Sequence, residues 1–146
     1  MIIIAHRGNL HGPNPEGENH PNYLLKAARE EFDVEADIWR CGGKLLLGHD
    51  APLHEIPDEF IRFNPDVDGF WWHAKNLEAF WWLVDEGVHC FFHDKDAAAL
   101  TSNGYVWTLV GQPVYSLSIC VLPEVGGLNG KPAGICTDYP IEWRDK

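Results

Sequence analysis

Apolar and polar positions alternate most clearly from Phe32 to Trp39, where Phe32, Val34, Ala36 and Ile38 face one way and Asp33, Glu35 and Asp37 the other. A period of two is the signature of a strand with two distinct faces. Cys41-Gly42-Gly43-Lys44 then reads as a turn, and Leu45 to Gly48 as a returning strand. So short a link makes the pair antiparallel, because a parallel crossover needs about a dozen residues or more. Asp37 and His49 stand at similar distances on either side of that turn, so they are expected close together in space.

The β-branched run Ile2 to Ala5 predicts a buried first strand, followed by a polar, Gly/Pro/Asn-rich loop from Gly8 to Pro21. Leu24, Leu25, Ala27 and Ala28 are spaced for a helix over Asn22 to Glu31, with Asn22 as its cap. Ile56 to Phe63 reads as a short helix with Pro57 near its start, Gly69 to Ala74 as a strand, and Asn76 to Glu86 as a helix closed by Gly87. Further strands are expected at Val88 to Phe92, Tyr105 to Val110, Val114 to Leu122 and Ala133 to Cys136, with a helical turn at Ala97 to Leu100. Strands alternating with helices predict a parallel α/β arrangement in one domain, residues 1–146. Links in the second half are too short for full crossover helices, so the helical layer should be thin there.

Composition narrows the class without naming it. At 45% hydrophobic and 23% charged, the chain has the balance of a folded globular domain. A net charge of −11 repels a phosphate backbone, so nucleic acid is not an expected partner. The four cysteines form no CxxC pair, which removes support for a zinc-finger or redox motif. No signal peptide and no transmembrane segment can be read, so the expected location is cytoplasmic.

Several weak chemical signals fall at strand ends. Glu35 and Asp37 project from one face of a strand, about 6.5–7 Å apart. For an isolated pair the ordinary outcome is a solvated face, but a hard divalent cation between them would also offset their repulsion. His6 and Arg7 follow the first strand, where Arg can clamp a phosphate and His can move a proton. His49 ends the returning strand, His73 and Lys75 end another, and Asp138 follows the last. Chemistry carried by the ends of several strands is the habit of parallel α/β barrels. His11, His20 and His54 lie in polar loops, and of His89 and His93 only His93 could face a cleft.

The blocks Ile3-Ile4-Ala5-His6-Arg7-Gly8, Gly17-Glu18-Asn19-His20, Val34-Glu35-Ala36-Asp37-Ile38 and Leu47-Gly48-His49-Asp50 together resemble the N-terminal signature of glycerophosphodiester phosphodiesterases. The likeness continues, in the family's order, through Ala74-Lys75-Asn76, Tyr105-Val106-Trp107-Thr108 and Gly134-Ile135-Cys136-Thr137-Asp138-Tyr139-Pro140. This resemblance implies a reduced TIM-type (β/α) barrel of the phospholipase-C-like phosphodiesterase kind, with several outer helices missing. It implies metal-dependent hydrolysis of a small or lipid-derived phosphodiester. In that scheme Glu35 and Asp37 bind the metal, and His6 and His49 act as general acid and base. Arg7 and Lys75 hold phosphoryl oxygens, Glu18 supports or joins the cluster, and Trp107 forms a wall.

Two departures from the family pattern matter. The family places an acid where this chain has His73, so the expected Mg²⁺ or Ca²⁺ gives ground to Mn²⁺ or Zn²⁺ if His73 is a ligand. A TIM barrel typically takes about 250 residues, far more than this chain has. Apolar surface left bare by missing helices is then expected to be covered by a second subunit, with one Trp of each pair Trp71-Trp72 and Trp81-Trp82 in the core. Competing readings are a phosphate-ester-binding module without turnover and a lyase that stops at a cyclic phosphate.

Overall fold

Val34, Ala36 and Ile38 are wholly buried, and their strand is the axis of the fold. The computed structural model describes residues Met1–Lys146. The strands are β1 (Ile2–His6), β2 (Asp33–Cys41), β3 (Lys44–Leu47), β4 (His54–Ile56) and β5 (Phe70–Ala74), then β6 (Cys90–Phe92), β7 (Ala98–Leu100), β8 (Val106–Thr108), β9 (Ser118–Val121) and β10 (Gly134–Thr137). The helices are α1 (Pro21–Arg29), α2 (Glu59–Arg62), α3 (Leu77–Glu86), α4 (Pro123–Gly126) and α5 (Pro140–Arg144). All ten strands form one sheet. Its parallel part runs β6-β5-β2-β1-β10-β9-β8. β3 is antiparallel to β2, β4 to β3, and β7 to β8. Strand β2 is long enough to pair twice along one edge: Asp33 to Glu35 meet β1, and Ile38 to Cys41 meet β3.

The sheet is a curled half-barrel with five short helices, and this overturns the expected reduced TIM-type (β/α) barrel. The reason is physical. Only α1 and α3, of 9 and 10 residues, are long enough to bridge parallel strands as crossover helices. β6, β7 and β8 follow one another with no helix between them, β2, β3 and β4 are joined as hairpins, and β3 and β7 run against the other strands. The strand α/β alternation therefore fails after α3.

Two large apolar layers and a small third cluster of Val114, Cys120 and Ile135 result. On the outer face, Leu24 and Ala27 of α1 and Ala79 and Leu83 of α3 pack on Val34, Ala36, Ile38, Phe70, Trp72 and Ala74. Helix α3 is well delimited, since the Asn76 side chain accepts from Ala79 N at 3.0 Å and Gly87 closes the helix with φ +69°. Inside the curl, Ile4, Trp71, Phe91, Trp107, Ile119, Val121 and Cys136 meet. Phe91 of β6 stacks on Trp107 of β8 at 4.4 Å between ring centroids, although six strand boundaries separate them along the parallel ladder. Ser102 closes that side further, its N donating to Cys90 O and its Oγ accepting from Cys90 N, both at 2.9 Å.

Several local expectations change. Ile56 ends β4 rather than starting a helix. Ala98 to Leu100 form a strand because Val106 to Thr108 lie beside them, overriding the helical leaning of alanine. His20, not Asn22, caps α1, its Nδ1 accepting from Asn22 N. Both Trp71 and Trp72 are buried, whereas Trp81 is exposed and Trp82 lies beneath Arg40 and Arg62. In the helix-poor half Leu100, Tyr115, Leu117 and Val125 are exposed. No helix is long and apolar enough to cross a membrane.

Candidate active site

Register puts the candidate residues side by side. In parallel pairing His6 aligns with Glu35, and Asp37 with His73, so all four side chains project to the same face. That face is the inside of the curl. Glu35 and Asp37 are consequently buried, 2% and 0% exposed, and the ordinary solvated face for an ExD pair does not occur. A cavity of about 190 Å³ opens here, lined by His6, Arg7, Glu35, Asp37, His49 and His73 on one side. Trp107, Leu109, Val110, Val121 and Leu122 line the other, with His93 between. The hairpin expectation holds: His49 reaches the same cavity as Asp37, and Gly48 N donates to Asp37 O at 3.1 Å.

Each buried carboxylate has one oxygen tied down and one left over. Asn19 grips Asp37 twice at 2.9 Å, donating from Nδ2 to Oδ2 and accepting at Oδ1 from Asp37 N. Arg7 N donates to Glu35 Oε2 at 3.2 Å, which requires Arg7 to hold a left-handed φ of +51°. Such strain in a non-glycine residue costs on the order of 1 kcal/mol or more and is characteristic of functional sites. The remaining oxygens face His73, whose Nδ1 lies 3.1 Å from Asp37 Oδ1 and 3.6 Å from Glu35 Oε1. The 3.1 Å approach is an ion-pair contact without hydrogen-bond geometry, so Asp37 Oδ1 is buried with no hydrogen bond of its own. These three residues form a cluster whose candidate ligand atoms all lie within 4.8 Å of one another.

Without a bound ion, neighbouring side chains balance the charge. Burial pushes the Asp37 carboxyl up, but His73, then Arg7 and Lys75, overcome it and hold Asp37 far below the usual carboxylate range. Arg7 Nε lies 3.2 Å from Asp37 Oδ2, and Lys75 Nζ 3.7 Å from Oδ1. Burial pulls His73 down, yet Asp37 and Glu35 outweigh it and raise the imidazole to about 9. His73 also stacks beside two flat rings of the neighbouring strand, 4.7 Å from Phe91 and 4.5 Å from His93, which lie 6.0 Å from each other.

Two histidines of the cavity each meet a carboxylate at Nδ1. His6 Nδ1 and Asp138 Oδ1 are 2.7 Å apart, and Asn9 Nδ2 donates to the same oxygen at 2.8 Å. Burial disfavours the His6 imidazolium, but the Asp138 hydrogen bond and the charge of Glu35 prevail and raise its pKa. His49 Nδ1 lies 2.7 Å from Asp50 Oδ1 at a more exposed position. The buried Asp138 fixes His6 at Nδ1 and leaves its Nε2 free, whereas the partner of His49, Asp50, is itself 95% exposed.

Glu18 plays a different part from a cluster ligand. Its Oε2 accepts from Arg7 at 3.1 Å, and its Oε1 from Asn9 Nδ2 at 2.9 Å and Asn14 N at 3.2 Å, so it orients Arg7 and the loop. Sequence reasoning missed Asn9 and Asn19 as buried anchors; the signal was two asparagines beside polar strand ends. It also underrated His93, whose Nδ1 is buried without a partner and whose pKa is lowered by burial. His11, His20 and His54 lie outside the cavity, with His20 and His54 edge to face at 5.0 Å. No family model, no curated protein and no solved structure matches this chain.

Proposed function

We propose that this chain is a divalent-metal-dependent phosphodiesterase acting on a small or lipid-derived phosphodiester, of the glycerophosphodiester kind its sequence blocks resemble. One observation carries the reading: two histidines, each held at Nδ1 by a carboxylate, line one cavity with the Glu35–Asp37–His73 cluster and Arg7. The unpaired Asp37 Oδ1 and its two neighbours fit a divalent cation. When bound, that cation would supply positive charge to the phosphoryl oxygens.

The residues of the chain account for the remaining needs. Phosphodiester cleavage requires a proton removed from the attacking hydroxyl, a proton given to the leaving oxygen, and charge against the phosphoryl group. His6 and His49 meet the first two, exchanging roles between steps. Arg7 and Lys75 sit beside the cluster and hold the phosphoryl oxygens. Trp107 and its apolar neighbours exclude water from the opposite side and take the alcohol substituent.

A second reading has its own observation. Arg7, His73 and Lys75 already offset the buried carboxylates, as a phosphate-ester-binding module without turnover would need. The test is alcohol release from glycerophosphodiesters by purified protein with Mg²⁺, Ca²⁺, Mn²⁺ or Zn²⁺. Metal-dependent release abolished in His6→Ala and His49→Ala supports the hydrolase. Full activity in either variant sinks the assigned roles, and binding without release supports the module. A cyclic phosphate as the final product identifies a lyase.

A further inference from the structure

The way each carboxylate is tethered bears on which cation the cluster takes, an inference that rests on the metal-site reading above. Asn19 donates to Asp37 Oδ2 and the Arg7 amide to Glu35 Oε2, which favours the other oxygen of each acid, Asp37 Oδ1 and Glu35 Oε1, as its ligand atom. Glu18 is spent on Arg7, Asn9 and the Asn14 amide and adds no oxygen. The third donor is the His73 imidazole, with its ring plane fixed by Phe91 and His93. We propose that Glu35, Asp37 and His73 form a zinc-type site of three monodentate donors with an open fourth position, selective against Mg²⁺ and Ca²⁺.

Three physical arguments converge. Ca²⁺ collects about 6–8 oxygens, commonly including bidentate carboxylates, and Mg²⁺ completes an all-oxygen octahedron with water; an imidazole as the third protein donor disfavours both hard ions. Zn²⁺ accepts nitrogen and oxygen together at about 2.0–2.2 Å, and a tetrahedron with such bonds has edges of about 3.3–3.6 Å. The separations of 3.1 and 3.6 Å from His73 Nδ1 to the two oxygens are close to those edges. Finally, Arg7 and Lys75 already stand beside Asp37, so an added cation must gain more than Coulomb attraction. A nitrogen ligand supplies that gain to a borderline metal and not to a hard one. Asp37 Oδ1, wholly buried and unpaired, is the donor such an ion would satisfy.

The experiment titrates the chelator-treated full chain with Zn²⁺, Co²⁺, Mg²⁺ and Ca²⁺ by calorimetry, with no substrate present. Expected is one equivalent of Zn²⁺ bound at least about a hundredfold more tightly than Mg²⁺ or Ca²⁺. Co²⁺ should give the intense visible absorption of four-coordination. Asp37→Asn should abolish the tight equivalent, and His73→Glu should narrow the preference at least about tenfold. Equal or tighter binding of Mg²⁺ or Ca²⁺ overturns the proposal, as does tight Zn²⁺ binding that survives both substitutions on surface histidines. If His73→Glu fails to fold, a weak octahedral Co²⁺ spectrum from the native chain overturns it and an intense one supports it. A chain that binds Zn²⁺ in this way yet cleaves no phosphodiester defeats the catalytic reading and leaves this one standing.

Discussion

From β1 to β5 the strands send charged side chains into the cavity and are backed by α1 and α3; from β8 to β9 they send apolar ones, and a small cluster of Val114, Cys120 and Ile135 backs them in place of a long helix. His6, Arg7, Glu35, Asp37, His49 and His73 stand on the first side, Trp107 and Val121 on the second. Asp138, just beyond β10, crosses this division by bonding to His6. Burying charge is costly unless it is paired, and pairing needs rigid positions. The helix-backed half provides them, because its outer core fixes the alternate residues whose neighbours face inward. The other half needs only to shape a wall and shed water, which thin structure can do.

The sharpest way to break this division, on the proposed hydrolase reading, is to remove a proposed proton-transfer group from one side and a wall group from the other. His6→Ala and His49→Ala should each lower kcat by about 10²–10⁴-fold, the usual worth of a positioned acid or base. Trp107→Leu should instead raise KM and leave kcat within about tenfold, since it removes shape and not proton transfer. Steady-state kinetics on one phosphodiester separates the two. A Trp107→Leu variant that loses kcat as severely as His6→Ala would show that the wall takes part in the chemistry.

A second contrast concerns stability. Trp72 lies in the outer core against α3 and is 1% exposed, while Trp81 on the solvent side of the same helix is 64% exposed. Trp72→Ala should cost about 3–5 kcal/mol in denaturant unfolding, and Trp81→Ala no more than about 0.5 kcal/mol. Comparable losses would place the support of the charged half elsewhere than in its helix packing.

These two tryptophans also indicate how much was legible in advance. The strict alternation of β2 gave its apolar face, the turn at Gly42-Gly43 gave the hairpin, and together they brought Asp37 and His49 to one place. Strand ends carrying His6, His73 and Asp138 were visible for the same reason. What local pattern could not carry was whatever depends on distant pairing. Ala98 to Leu100 look helical alone and become a strand through β8. The burial of Glu35 depends on the sheet curling, and the roles of Glu18, Asn9 and Asn19 depend on a loop folding back over strand ends. The reduced barrel came from the family resemblance, and the helices after α3, α4 and α5 of 4 and 5 residues, are too short to build its outer layer.

The charged half should also be the pH-sensitive one. With chelator present, His73 has a folded pKa of about 9 against an ordinary 6.5. A raised folded pKa stabilises fully below the unfolded value and loses its contribution as pH rises through the folded value. Unfolding free energy should therefore fall by on the order of 3 kcal/mol between pH 6.5 and 9.5. The upward shift of His6 adds in the same direction. His73→Gln should flatten the profile, and a native profile that is flat or rising over that range would contradict the ion-pair geometry.

The smallest effect is expected on the bare outer surface of the other half. Leu100 and Tyr115 are 72% and 73% exposed, so they have little packing to lose. Serine at either position should change stability by no more than about 0.5 kcal/mol, because substitutions that create no cavity and strand no polar group rarely do more. Both variants should also keep a midpoint of thermal unfolding that is independent of protein concentration. The alternative has a distinct signature. If a second chain covers this surface, the native midpoint will rise with concentration and the serine variants will lose that dependence, since association stabilises by mass action. That outcome would erase the difference between the halves, because the wall side would then be backed by another molecule where the charged side is backed by its own helices.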